Sequence, residues 1–132
     1  MKYLFDTHVL LWALINDQNL SPKVIDIIND VNNDIYYSSI SPWEVEIKHL
    51  KREDFKLSGE QLIFLCNQNG LHSIQINNKH ICELKNIKKN KKTKHNDPFD
   101  KMLLAQAISE NMILITHDKK FSAYSNPNIM LV

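Results

Sequence analysis

Short apolar runs and longer segments with helical spacing alternate along the chain. The short runs are rich in aliphatic and aromatic residues and are bounded by turn-forming residues, a pattern typical of buried β-strands. They lie at residues 2–5, 35–39, 72–76, 112–116 and 129–132. The sequence therefore predicts five strands.

Between these runs, apolar residues recur every three or four positions, which predicts helices with one buried face. Two such faces are formed by Val24, Ile27, Ile28 and Val31 and by Trp43, Ile47 and Leu50. Two weaker helices are marked by Leu62, Phe64 and Leu65 and by Ile81 and Leu84. Residues 102–108 are apolar nearly all round, as expected of a central helix. Strands that alternate with helices predict an α/β fold, a central parallel sheet with helices on both faces.

The length of 132 residues predicts one domain over residues 1–132, with a core that needs no disulfide or structural metal. Cys66 and Cys82 lack the spacing of a metal or redox motif, and we assign them no chemistry. No apolar stretch approaches the roughly 20 residues that span a bilayer, and no secretion signal is visible. We therefore expect a cytoplasmic protein.

The near-neutral net charge of +1 conceals an asymmetry. Six of the 16 basic residues are lysines within residues 85–95, a segment without acids, so ten basic residues face 15 acidic ones elsewhere. A cationic segment on an acidic body suggests a polyanionic partner, because phosphate neutralisation supplies most sequence-independent affinity for nucleic acids. A solvated loop explains the segment equally well. The candidate nucleic-acid-binding residues are Lys89, Lys91, Lys92, Lys94 and Lys101.

Two acids directly follow predicted strands. Asp6 follows the first strand, and Asp118 follows the fourth with only His117 between. Ligand sites of open parallel sheets gather beyond the carboxyl ends of the strands, which favours a functional role. Either acid taken singly is equally explained as a helix N-cap.

Two further segments resemble each other, Ser41-Pro42-Trp43-Glu44 and Asp97-Pro98-Phe99-Asp100. Each supplies a capping residue, a proline at the first helical position, an aromatic residue and an acid. A capping box at Ser41, or an ion pair with Lys48, would explain Glu44 without catalysis. Both helices are nevertheless predicted to start at the sheet edge where Asp6 and Asp118 lie.

Four carboxylates at one edge would repel one another, by about 4 kcal/mol per pair at 4 Å in an effective dielectric near 20. Such a cluster requires a cation, and oxygen ligands without cysteine or paired histidine favour Mg²⁺ or Mn²⁺ over zinc. A cation of this kind activates water and binds phosphate, which indicates metal-assisted phosphodiester hydrolysis.

The chain also resembles a known family in four blocks. They are Asp-Thr-His-Val-Leu-Leu-Trp at 6–12, Ser-Ser-Ile-Ser-Pro-Trp-Glu-Val-Glu-Ile-Lys at 38–48, His-Asn-Asp-Pro-Phe-Asp-Lys-Met-Leu-Leu-Ala-Gln-Ala at 95–107 and Thr-His-Asp at 116–118. Together and in this order they are similar to VapC-type PIN-domain toxins, the ribonucleases of type II toxin–antitoxin systems. The similarity spans essentially the whole chain.

The resemblance implies a PIN-like fold with an acidic quartet, Asp6, Glu44, Asp100 and Asp118, that binds Mg²⁺ or Mn²⁺ and cleaves RNA. It also implies a homodimer and a small cognate antitoxin. Asp100 is preferred to Asp97 as the third acid, because the position of the Leu-Leu-Ala-Gln-Ala sequence after it matches the helix that follows the third acid in the family. The family often has arginine at the position of Lys101 and a leucine-like residue at that of Pro42.

Two other functions remain open at this point. A non-catalytic RNA-binding or regulatory module would need only the lysine segment, and a phosphatase or phosphoacceptor domain would use Asp6 as nucleophile. Thr7 and Thr116 are candidates for orienting Asp6 or a metal-bound water, without an assigned role. His8, His95 and His117 lie near the proposed site in sequence, and we assign none of them as a general acid.

Overall fold

The computed structural model describes residues 1–90 and 97–132, and in these ranges it contains one sheet of five parallel strands. The strands are β1 (Lys2–Phe5), β2 (Asp34–Ser38), β3 (His72–Ile74), β4 (Ile113–Thr116) and β5 (Ile129–Leu131). All five predicted strands are confirmed, with small shifts at their ends. Their order in the sheet is β3-β2-β1-β4-β5, so β1 pairs with both β2 and β4.

Helices connect the strands and cover both faces of the sheet. The described residues form α1 (Thr7–Ile15), α2 (Pro22–Asn29), α3 (Ile40–Lys51), α4 (Gly59–Gln68), α5 (Asn78–Glu83) and α6 (Pro98–Ser109). Two short 3-10 helices lie at Leu84–Asn86 and Lys119–Tyr124. Within the described ranges, none of these helices has the length and apolar character needed to cross a bilayer. The predicted α/β class is confirmed.

Alternation along the strands divides the core into two layers. Phe5 and Ile115 point to one face of the sheet, where they pack in a cluster with residues of α1, α2 and α4. Their neighbours Leu4 and Leu114 point to the other face and pack with residues of α6. Because both faces are covered, β1 and β4 carry continuous apolar runs rather than an alternation with polar residues.

The two predicted helix faces are only partly correct. Val24 and Ile27 are buried, but Val31 follows the end of α2 and is 95% exposed. On α3 the prediction is wrong, since Trp43 is 52% exposed and Leu50 is 75% exposed. The buried residues of this helix are Ile40, Ser41, Pro42 and Val45. The side of α3 that contacts the sheet and α4 is therefore not the side with the regular apolar spacing.

Helix α4 begins in close contact with α3 at Gly59. A Cβ atom at this position would lie 2.7 Å from the carbonyl oxygen of Pro42 and 3.1 Å from Cβ of Glu46. The Gly59 N–H donates to Oε1 of Glu46 at 3.2 Å, which holds the two helices together. Only glycine fits this contact without a backbone shift.

Gly59→Ala is therefore expected to lower the free energy of unfolding by roughly 1–3 kcal/mol, the usual cost of overpacking. Urea denaturation measures this change. Glu60→Ala, at the neighbouring exposed position, is the matched control and should alter stability little. Equal stability of the Gly59→Ala protein and the wild type would contradict the close contact between α3 and α4.

The order of the strands creates a switch point between β1 and β4. From β1 the chain proceeds through β2 to β3 on one side, whereas β4 and β5 lie on the other side. Loops that follow β1 and β4 therefore leave the sheet in opposite directions and open a crevice at the carboxyl ends of these strands. Asp6 and Asp118 follow these two ends.

Candidate active site

Asp6 directly follows the carboxyl end of β1 and is 5% exposed. As N-cap of α1, its Oδ1 accepts a hydrogen bond from the Val9 N–H at 2.9 Å. Its Oδ2 accepts one from the hydroxyl of Thr116. Burial raises the pKa of Asp6, and the neighbouring Asp118 carboxylate adds to this, while the hydrogen bonds from Thr116 and Val9 oppose it. The two hydrogen bonds hold the carboxylate in one orientation, whereas its burial makes the charged form less favourable.

Thr116 joins the two strand-end acids. Besides donating to Asp6, its Oγ1 accepts a hydrogen bond from the Asp118 N–H at 3.0 Å. Asp118 is the N-cap of the 3-10 helix and accepts from the Lys120 N–H at 2.9 Å. Asp6 and Asp118 are thus both helix caps, as the N-cap explanation of each acid predicted. Capping uses part of the acceptor capacity of each carboxylate and does not exclude a ligand.

Glu44 comes from the second turn of α3 and is half-buried beside α1. Its Oε1 accepts a hydrogen bond from Thr7 Oγ1 at 2.9 Å, and that hydroxyl lies 2.9 Å from the buried Ser41 Oγ. Because Thr7 has one hydroxyl proton and gives it to Glu44, Ser41 donates to Thr7. Burial raises the pKa of Glu44, opposed by the bond from Thr7 and reinforced by Asp97 and Asp6.

The predicted capping box at Ser41 is wrong. Helix α3 has Ser39 as its N-cap, so Ser41 lies inside the helix, and its hydroxyl contacts Thr7 instead of the helix end. Capping therefore does not account for Glu44. The second predicted cap is confirmed, because Asp97 is the N-cap of α6 and accepts from the Phe99 N–H at 2.9 Å.

Asp100 occupies the first turn of α6, where its surroundings disfavour the charged form of the carboxyl group. Burial, and then repulsion from Asp97, Glu44, Asp118 and Asp6, raises its pKa to about 7. All four predicted acids, together with Asp97, thus interact electrostatically around one crevice. They come from the end of β1, from α3, from the start of α6 and from the end of β4, elements far apart in sequence.

The donor set fits a hard divalent cation, since it consists of carboxylates whose mutual repulsion a cation would relieve. The geometry is less complete: within residues 1–90 and 97–132, no three His, Cys, Asp or Glu side chains converge closely enough to form a ready-made metal site. The carboxylates that would hold such a cation are therefore Asp6, Glu44, Asp100 and Asp118, on the chemistry of the donors.

Thr7→Val is expected to destabilise the protein by roughly 1–3 kcal/mol, because it leaves the buried Ser41 hydroxyl without its acceptor and Glu44 without its donor. Thermal denaturation at neutral pH measures the change. Thr7→Ser retains the hydroxyl and should recover most of the loss. If valine is tolerated as well as serine, the Ser41–Thr7–Glu44 hydrogen bonds contribute nothing to stability.

Aromatic residues at the rim were not predicted as part of the site. The buried Tyr124 lies near the acids, since burial raises its pKa and Asp100 and Asp97 raise it further. Trp12 contacts the imidazole of His117 edge-on, with ring centroids 5.0 Å apart, and its centroid is 6.2 Å from that of His8. His117 donates from Nδ1 to the carbonyl oxygen of Val132 at 2.8 Å. No spacing in the sequence connects these residues.

The predicted nucleic-acid-binding lysines are placed only in part. Lys101 follows Asp100 on α6 and is half-buried, and Lys89 is exposed. The neighbour of Lys89, Asn90, donates its N–H at 2.7 Å to the carbonyl oxygen of Ala123, which lies in the 3-10 helix that Asp118 caps. Three of the predicted residues, Lys91, Lys92 and Lys94, lie outside the described residues, as does His95.

An acidic crevice at the switch point of a small parallel α/β sheet defines the class of the protein. The family model of the PIN domain matches residues 3–127, and the chain belongs to this family. No curated protein sequence matches the chain.

Several solved toxin–antitoxin complexes contain a chain with a similar fold. A chain of VapBC2 from Rickettsia felis, bound to a promoter DNA fragment, has a TM-score of 0.70 at 20% identity, covering 100% of this chain and 98% of that one. A chain of VapBC-1 from nontypeable Haemophilus influenzae has a TM-score of 0.70 at 18% identity, covering 99% and 98%. A chain of DNA-bound VapBC from Salmonella typhimurium has a TM-score of 0.67 at 17% identity, covering 100% and 97%. At these identities the similarity establishes the fold.

Proposed function

We propose that this PIN domain is a divalent-metal-dependent endoribonuclease and the toxin of a toxin–antitoxin system. The observation that carries the proposal is the convergence of Asp6, Glu44, Asp100 and Asp118 on one crevice. A protein gains no stability from carboxylates that repel one another. Burial and then this repulsion raise the pKa of Asp100 to about 7, which favours a cation-binding role for the cluster.

The four acids would hold Mg²⁺ or Mn²⁺. When bound, such an ion supplies a water of lowered pKa and neutralises charge on the scissile phosphodiester. Within the protein, Thr116 fixes the orientation of Asp6, and Thr7 fixes that of Glu44. Asp100 must lose its proton to become a ligand, because only the carboxylate form binds a cation. The N-cap bonds of Asp97 suggest that this acid positions the start of α6.

The proposed substrate is RNA in the cytoplasm, and the proposed partners are a small antitoxin and a second copy of the chain. Similarity to chains of VapBC complexes supports the antitoxin. The lysines at residues 85–94 supply the positive charge that a polyanionic substrate requires. These partners follow from the resemblance and from the chemistry of the surface.

The test is incubation of total RNA with purified protein in Mg²⁺, in Mn²⁺ and in excess chelator, after any bound inhibitor has been removed under denaturing conditions and the protein refolded. Discrete fragments that appear only with metal are the expected result. Intact RNA in every reaction, with protein whose circular dichroism shows a folded domain, would refute the nuclease.

A non-catalytic RNA-binding module is the second candidate, and one observation favours it: the acids in the described residues do not form a ready-made metal site. Calorimetric titration with Mn²⁺ separates the two functions. The nuclease requires a binding isotherm that Asp6→Asn weakens, whereas the binding module predicts no metal binding that depends on Asp6.

A phosphoacceptor role for Asp6 is disfavoured by its surroundings. Both carboxylate oxygens accept hydrogen bonds, from Val9 and Thr116, and the side chain is buried. A nucleophilic carboxylate needs an oxygen open to the incoming phosphorus. Asp6 instead presents the fixed geometry of a ligand or a cap.

A further inference from the structure

The outer face of α3 exposes apolar side chains beside the acidic crevice. Trp43 and Leu50 lie largely in solvent, and Ile47 between them is half-buried. Phe99, at the start of α6, contacts the Trp43 ring edge-on, with centroids 4.7 Å apart. A groove on this face, which we call the α3 groove, is lined by Glu44, Ile47, Lys48, Lys51, Arg52 and Phe99.

One end of the α3 groove reaches the proposed active site. Glu44 both lines the groove and belongs to the acidic quartet. Phe99 lines it as well and directly precedes Asp100. The aromatic pair of Trp43 and Phe99 thus stands where the groove meets the carboxylates. A chain-like ligand whose reacting group lies among the acids could therefore extend from the active site into this groove.

The other end of the α3 groove is basic. From Glu44, the helical rise places Lys48 about 6 Å along α3 and Arg52 about 12 Å along it. Lys48, Lys51 and Arg52 are all exposed. Arg52 donates to both carboxylate oxygens of Asp54, from Nε at 3.2 Å and from Nη2 at 2.8 Å, with both side chains in solvent. This pair uses two of the five guanidinium N–H donors and leaves the others for another anion.

We propose that the α3 groove binds the single-stranded RNA segment that flanks the scissile bond. Bases stack on Trp43 and Phe99, and phosphates contact Lys48, Lys51 and Arg52. Base–aromatic stacking beside a row of cations is the general chemistry of single-strand binding. This inference rests on the proposed ribonuclease function and adds to it a substrate subsite distinct from the lysine segment at residues 85–94.

Charge complementarity favours RNA over a protein occupant. Three cations within five residues, Lys48 to Arg52, follow one side of the groove and match the regular negative charge of a nucleic acid backbone. The apolar part of the groove includes Phe99, and the half-exposed Trp43 ring lies against Phe99, so two aromatic rings are available to the flat face of any base.

The test measures the binding of a fluorescein-labelled, single-stranded RNA of mixed sequence, about 16 nucleotides long, by fluorescence anisotropy. All proteins carry Asp100→Asn, so that cleavage does not interfere. Adding Trp43→Ala should weaken binding roughly 5- to 150-fold, the loss expected for one stacked base. Trp43→Phe should restore most of the affinity. Phe64→Ala, which removes an equally exposed aromatic ring from α4, should leave it unchanged.

Salt dependence tests the phosphate contacts. Lys48→Ala combined with Lys51→Ala should reduce the slope of log affinity against log salt by about 1.4, the value for two single-strand phosphates. Lys2→Ala combined with Lys23→Ala removes the same charge from exposed positions on β1 and α2, which do not line the groove. This control pair should not change the slope.

The outcomes separate this inference from the proposed function. Loss of RNA binding in the groove variants supports RNA binding by the α3 groove. If the wild type also cleaves no RNA, only the proposed ribonuclease activity is refuted. If the wild type cleaves RNA with metal and the Trp43 and lysine variants bind RNA as well as the parent protein, RNA binding by the α3 groove is overturned. A third outcome is that the groove variants bind RNA as before but change from dimer to monomer in light scattering, or no longer bind a purified antitoxin. This outcome would assign the surface to a protein partner and would also overturn the inference.

Discussion

Asp100→Asn is expected to lower metal-dependent RNA cleavage by more than about 100-fold, exceeding the 10- to 100-fold losses typical of residues that only support metal ligands. Asparagine has nearly the same shape as aspartate but no negative charge. In the proposed site it removes an acid whose charged form burial and the other carboxylates disfavour, and which a bound cation would neutralise. The initial rate of fragment formation, at fixed Mn²⁺ concentration, measures the effect.

Two variants make this result specific. Asp26→Asn neutralises an exposed acid on α2 and should cleave RNA at the wild-type rate. Asp97→Asn preserves the ability to cap α6 and removes charge next to Asp100, so a moderate loss is expected if Asp97 only positions the helix. Full activity of Asp100→Asn would remove this residue from the quartet and leave Asp97 as the acid that α6 contributes.

Stability of the metal-free protein is expected to fall as the pH rises from about 4 to about 7. The pKa of Asp100 is 3.8 in the unfolded reference and about 7 in the fold, so the folded state binds more protons across this interval. Its contribution is fully present below pH 3.8 and is lost as the pH passes 7. At 1.36 kcal/mol for each pKa unit the upper bound is about 4 kcal/mol, and solvent screening of this partly exposed side chain makes the loss smaller.

Urea denaturation in chelator, at intervals between pH 4 and pH 8, measures this dependence. Glu110 contributes in the opposite direction, because its bond to His80 Nε2 at 2.9 Å lowers its pKa. The decisive quantity is therefore the difference between wild type and Asp100→Asn. That difference should grow in favour of the variant as the pH rises, and a constant difference would show that Asp100 ionises normally.

Cation binding should reverse the loss of stability that the metal-free protein shows as the pH rises. Mn²⁺ at 100 times its dissociation constant stabilises a protein by about 2.7 kcal/mol if it binds only the folded state. At pH 7.5 the wild type should gain this stability, and Asp100→Asn should gain much less.

Local chemistry in the sequence was sufficient to predict most of the fold. The five strands were recognisable because each is a short apolar run between turn residues, and strands buried on both faces need no alternation. Helix α6 was recognisable at its start, where Asp97 is the cap and Pro98 occupies the first turn. These signals act within a few residues, so they do not depend on what packs against them.

The orientation of α3 could not be predicted in this way. Its apolar residues fall on more than one side, and periodicity alone selected Trp43, Ile47 and Leu50. The close contact with Gly59 of α4, together with packing against the sheet, buries Pro42 and Val45 instead. Which apolar side of a helix becomes the core depends on its neighbours, and no local signal contains that information.

The sequence by itself determined which residues can be acids, caps and strands, because those properties belong to the side chains and their immediate neighbours. Only the tertiary structure decided which acids meet and what orients them. Thr116 reaches Asp6 across 110 residues of sequence, and Thr7 reaches Glu44 across 37. Both contacts exist because β1 pairs with β4 on one side and with β2 on the other, and that order results from the packing of the whole sheet.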